Sequence, residues 1–130
     1  IDTSESRMPP ITDDRISPLV AAEPDLLVTH APENALHIIL TFSHDLDFTL
    51  CDSLLRHGFG EAGLIGSKTK WVRFRKRLIA LGHEEEAIAR IICPIGDPSF
   101  GKDPQAIAVS VAAALLSGSG LSSVRGDDNE

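Results

Sequence analysis

An α/β fold, with a doubly wound parallel sheet in three layers, is predicted for this chain by three observations. The run His37-Ile38-Ile39-Leu40-Thr41 is apolar almost throughout, as in strands that are covered on both faces. A helix begins straight after it at Phe42-Ser43, where Ser43 is placed to cap the first turn. About twenty residues on, the device repeats: Glu61-Ala62-Gly63-Leu64-Ile65 leads into Gly66-Ser67 and a second helix. Strands that alternate with helices are joined by crossovers, and crossovers make the strands parallel.

The elements follow in order. Residues 3–25, with Met8-Pro9-Pro10 and Thr12-Asp13-Asp14, read as loop with little helix. Asp25-Leu26-Leu27-Val28-Thr29 reads as a short strand, and Ala31 to Leu36 as a brief helical turn. His37 to Thr41 is the strongest strand of the chain. The helix from Ser43 carries Leu46, Leu50 and Leu54 at i, i+4 and i+8, and it stops at Gly58, a good left-handed terminator. The helix after Ser67 has Trp71, Phe74, Leu78 and Leu81 on one stripe and stops at Gly82; Lys68, Lys70, Arg73, Arg75, Lys76 and Arg77 occupy its other faces. A third helix is expected from about Glu84 to Ile92, with Glu84, Glu85 and Glu86 favouring its first turn. Asp103-Pro104 opens a fourth, which runs to about Leu116. Residues 1–116 thus form one domain, and residues 117–130, ending Gly126-Asp127-Asp128-Asn129-Glu130, read as a flexible acidic tail.

Composition narrows the function classes. Twelve basic against nineteen acidic residues leave a net charge of −7, which argues against nucleic acid or an anionic membrane as the main partner. No run of about 18 apolar residues is present to span a membrane. The opening Ile1-Asp2-Thr3-Ser4-Glu5 has neither a basic nor an apolar leader region, and a chain that starts Ile1-Asp2 reads as a fragment or processed piece. Cys51 and Cys93 sit in different settings without motif spacing, so reduced thiols in a cytoplasmic protein are expected.

One motif is refused. Gly58-Phe59-Gly60-Glu61-Ala62-Gly63 matches G-x-G-x-x-G, but a dinucleotide fingerprint has a strand before it and a helix after it. Here the order is reversed, so the motif reads as a helix terminus and a turn.

Four motifs in order carry a resemblance: Thr41-Phe42-Ser43-His44-Asp45-Leu46-Asp47, Gly63-Leu64-Ile65-Gly66-Ser67-Lys68-Thr69-Lys70, Cys93-Pro94-Ile95-Gly96 and Ala106-Ile107-Ala108-Val109-Ser110. Over roughly residues 1–116 the chain resembles the C-terminal Rossmann-like domain of the xanthine dehydrogenase accessory proteins, the family also named for the CoxI protein. The resemblance implies a Rossmann-like sheet that lacks its first β-α unit, with Ile1-Asp2 at the end of the second strand. It also implies a chaperone more than a turnover enzyme. Such proteins bind the molybdenum cofactor (molybdopterin), hold it during sulfuration with a cysteine desulfurase, and deliver it to xanthine dehydrogenase or a related molybdenum hydroxylase. In that family the position of Phe42 is often histidine.

The cofactor-binding residues this reading selects are Asp2, Thr41, Ser43, His44, Asp45, Gly63, Gly66, Ser67, Lys70, Arg73, Pro94 and Gly96. Asp2 has the position of an acid that bonds a ribose or pterin-side hydroxyl, or is a solvated terminal carboxylate. Ser43 and Ser67 cap helices, which is compatible with anion binding because a cap uses only one of several free N–H groups. His44 reads as structural or phosphate-contacting before general base, with metal ligation behind both. Lys70 and Arg73 lie one turn apart and could reach an anion, or form part of a solvated basic face. Gly63 and Gly66 suit a sharp turn or a close ligand approach, and tight strand–helix packing would give the same residues. Cys93 reads as an inert buried thiol before a sulfur carrier.

Two rivals stand beside the chaperone reading: an NAD(P)-binding oxidoreductase domain, and a non-catalytic protein-interaction domain. With no tyrosine in the chain, a Tyr-Lys catalytic pair is impossible. A sheet short of its first unit should also expose an edge, so a homodimer that covers the edge is expected.

Overall fold

The computed structural model describes residues 1–96, 103–118 and 120–121. Three strands form one parallel sheet in the order β1 (Leu36–Ile39), β2 (Glu61–Leu64), β3 (Ile91–Ile92). Leu36 pairs with Glu61 and Ile39 with Leu64, and Ala62 and Gly63 pair with Ile91 and Ile92. Helix α1 (His44–His57) crosses from β1 to β2, and α2 (Lys68–Ala80) with the single turn α3 (Glu85–Ile88) crosses from β2 to β3. Helix α4 (Pro104–Leu116) follows.

The helices divide between the two faces, which makes the three layers. On one side Phe48, Cys51 and Leu54 of α1, Phe74 and Leu78 of α2 and Ile88 of α3 close over Ile39, Ala62, Leu64 and Ile91. The rings of Phe48 and Phe74 meet edge to face with centroids 5.3 Å apart. On the other side Val111 and Ala114 of α4 pack with Ile92, Ile95 and Leu121. Gly63 is where that packing is tightest: a Cβ there would lie 2.9 Å from Ile95 Cγ2 and 3.1 Å from Leu121 Cδ1. Leu121 is fully buried and its N–H donates to Glu61 Oε1 at 2.9 Å, so the packed chain runs past Leu116. Residues 122–130 of the expected tail lie outside the described residues.

Caps end the helices as the sequence suggests. Ser43 Oγ accepts from Leu46 N–H, Ser67 Oγ from Lys70 N–H and Asp103 Oδ1 from Ala106 N–H, each worth about 1 kcal/mol. Gly58 (φ 103°) closes α1 and Gly82 (φ 100°) follows α2. The G-x-G-x-x-G therefore begins at a helix terminus and ends inside β2, and it holds no helix start.

Three expectations need correction. Residues 25–29 are not a strand but part of a 3-10 helix, Pro24–His30. Pro24 fixes the helical φ at its start, and Pro24 and Val28 turn to the core while Leu26 faces solvent. Ile91-Ile92 does not end a third helix; it is β3, buried against β2, because two adjacent β-branched residues fit a strand covered on both faces. Cys51 and Cys93 are not in separate settings: both are buried in the same core, and neither is in a disulfide. Burial, then the neighbouring Cys93, pushes the Cys51 thiol up to about 12. Native protein at pH 8 is expected to leave Cys51 unlabelled by iodoacetamide, with rapid labelling in urea; equal rates would refute its burial.

Strand β1 pairs with β2 and, among the described residues, has no strand on its other edge. A slot of about 350 Å³ lies there, walled by Ile1–Thr3, by Pro24, Leu27 and Val28, and by residues 37–42. Asp2, on the wall of the slot, makes an isolated parallel bridge with Val20. His37 lines the slot, and its Nε2 is buried with no hydrogen-bond partner among the described residues. Burial, then His57, lowers the His37 pKa. A lowered histidine pKa contributes stability that is full above the ordinary 6.5 and is lost as pH falls through the lowered value. The urea midpoint is thus expected to fall between about pH 7.5 and pH 5.5, with a shallower fall in His37→Phe; parallel pH profiles would refute it.

Candidate functional site

The carboxyl ends of β1 and β2 stop side by side, and each chain turns at once into a capped helix. In a parallel sheet this is where ligands bind, since the helix starts leave unpaired N–H groups facing outward. A groove of about 300 Å³ opens there, lined by Leu40, Thr41, Phe42, His44, Asp47, Ile65, Gly66, Ser67 and Lys70.

Thr41 fixes the first turn. Its Oγ1 donates to Ser43 O at 2.9 Å and accepts from Ser43 N–H at 3.1 Å, which sets Ser43 to cap α1. The base of the groove is an ion pair. Lys70 Nζ stands 2.6 Å from Asp47 Oδ2, with side-chain exposures of 9% and 2%. Lys70 Nζ also donates to Ile65 O at 3.2 Å, while Asp47 Oδ1 accepts from Thr41 N–H at 3.0 Å. One carboxylate therefore ties the end of β1, the first turn of α1 and, through Lys70, the end of β2. Gly66 makes the arrangement possible: a Cβ there would fall 2.8 Å from Lys70 Cδ.

Of the residues the sequence selects, Thr41, His44, Gly66, Ser67 and Lys70 line the groove. Ser43 caps the helix beside it, and Asp45 is exposed on that helix's first turn. The structure places the others elsewhere. Asp2 lines the β1 slot, where the Arg7 guanidinium 2.9 Å away lowers its carboxyl pKa. Gly63 is buried under Ile95 and Leu121, and its lack of a side chain answers to packing. Pro94 and Gly96 follow β3, and Gly96 (φ 110°) packs against Ile107. Arg73 is exposed on α2. Lys70 is thus not part of an open basic face with Arg73 but is enclosed with a carboxylate.

Sequence reasoning missed Leu40, Phe42, Ile65 and Asp47 as groove residues, and the charged one among them is Asp47. The signal was present: it stands at i−4 from Cys51 and i−7 from Leu54, which puts a carboxylate on the buried face of α1. A lone charge there requires a partner. Among the described residues no group of three metal-ligating side chains occurs, and no helix is long and apolar enough to cross a membrane.

The described elements define a Rossmann-type α/β domain with a groove at the carboxyl ends of two neighbouring parallel strands. The chain belongs to the family of the XdhC Rossmann domain, whose model matches residues 3–115. It is also 33% identical over 85 residues to the protein named "Uncharacterized protein YqeB" of Escherichia coli (strain K12). The matched stretch is 65% of this chain and 15% of that protein.

Proposed function

We propose that this domain binds the molybdenum cofactor as cargo, holds it while its terminal sulfur is installed with a cysteine desulfurase, and passes it to xanthine dehydrogenase or a related molybdenum hydroxylase. The observation that carries this reading is the convergence of two side-chain-capped helix starts, α1 at Ser43 and α2 at Ser67, on one groove. Each start offers N–H groups and a positive dipole end to an anionic group of the cargo. Leu40, Phe42 and Ile65 add apolar wall for a flat ring system. Sulfur transfer is assigned to the partner, since the Cys51 thiol is buried with a pKa near 12 and Cys93 is buried with it.

Anaerobic titration with molybdenum cofactor, with NAD⁺ and NADP⁺ as controls, tests the proposal. Cofactor-selective binding, weakened about tenfold or more by Lys70→Ala in protein that still melts cooperatively, is the expected result. Binding of nicotinamide nucleotides alone would overturn it in favour of an oxidoreductase domain.

A further inference from the structure

We propose that the Asp47–Lys70 pair makes the inner end of the groove selective for an uncharged, hydrogen-bond-accepting oxygen, such as a ring carbonyl, and against a phosphate dianion. The inference rests on the groove being the binding site and names the chemistry of one end of it.

An ammonium has three protons to donate. Lys70 directs one to Asp47 Oδ2 at 2.6 Å and one to Ile65 O at 3.2 Å, which leaves one for a ligand. A lysine that recruits phosphate acts as a point charge, and that requires a charge not already balanced. Here the balancing carboxylate is 2% exposed, so little water screens the pair. A dianion seated on the third N–H would also face the carboxylate of Asp47, which lines the same groove. Repulsion at that range in a poorly solvated setting offsets the attraction to Lys70. An uncharged carbonyl takes the third N–H without that penalty.

The other cations of α2 do not change this balance. Lys68 Nζ is buried and Lys68 is not a groove residue. Arg77 lies over the Phe48 ring at 3.8 Å, and Arg73 is exposed away from the groove. Anionic parts of a ligand are left to the helix starts at the outer end. Asp47 is thus a positioning and specificity residue, and Gly66 gives its partner room to lie across the turn.

Calorimetric titration of inorganic phosphate and of pterin, which is uncharged at neutral pH, into wild type and Asp47→Asn tests the inference. Pterin is expected to bind wild type, and phosphate to bind Asp47→Asn about tenfold more tightly than wild type or better, as the released ammonium becomes a free charge. Equal phosphate affinities of the two proteins, or no binding of pterin to wild type, would overturn it. Should Asp47→Asn fail to fold, amide spectra of wild type decide. Shifts at Thr41, whose N–H is bonded to Asp47, with pterin but not phosphate support the selectivity; shifts there with phosphate, or with neither, overturn it. These readouts need no molybdenum cofactor, so they stand apart from the cofactor titration.

Discussion

Asp47→Ala is expected to lower folding stability by about 3–5 kcal/mol, the usual cost of removing one member of a buried ion pair. The loss has two sources. Lys70, 9% exposed, would be left with Ile65 O as its hydrogen-bond acceptor among the described residues, and the Thr41 N–H would lose its carboxylate. An exposed pair would cost less than about 1 kcal/mol, so urea denaturation separates the two cases cleanly. The double variant Asp47→Asn, Lys70→Met stays close to the native volume, leaves no charge unpaired and keeps an acceptor for the Thr41 N–H; it should recover most of the stability. It should not recover ligand binding. A single-variant loss below 1 kcal/mol would show that the pair is solvated and would remove the basis for its role in the groove.

Leu78→Ala is expected to cost about 2–5 kcal/mol, since the side chain is fully buried and the space it leaves cannot be refilled without moving α2. Leu78 is one turn beyond Phe74 on the stripe that fastens α2 to the sheet. Leu78 does not line the groove, so the variant serves as a control. Its melting temperature should drop while the affinity for cofactor, measured well below that temperature, stays within about twofold. A selective loss of affinity would mean that the angle of α2 on the sheet, more than the pair at its first turn, governs the groove.

Much of this molecule was legible where the signal is local. Ser43 and Ser67 mark helix starts because a hydroxyl beside unpaired N–H groups is a short-range device, and Gly58 and Gly82 mark helix ends because a positive φ is a property of one residue. The apolar run into Thr41 and the stripe Trp71, Phe74, Leu78 are one-dimensional patterns that survive folding unchanged. What was not legible depends on contacts far along the chain. Ile91-Ile92 is too short a run to distinguish strand from helix end until β2 is beside it. Asp25 to Thr29 has a strand's composition, yet Pro24 and the packing of Val28 make it a 3-10 helix.

The groove shows the same division. Sequence alone determined that two capped helices start after two strands, and hence that two helix starts open near Thr41, Ser43, Gly66 and Ser67. It also determined that Asp47 and Lys70 each lie in the first turn of a helix. Only the tertiary structure decided that these two, 23 residues apart, meet at 2.6 Å, because the parallel pairing of β1 with β2 brings the two helix starts side by side. The same pairing put Gly63 in a packed layer and left Asp2 and Arg73 outside the groove. Residue types and caps are written along the chain; the partner of a buried charge is set by which strands lie next to each other.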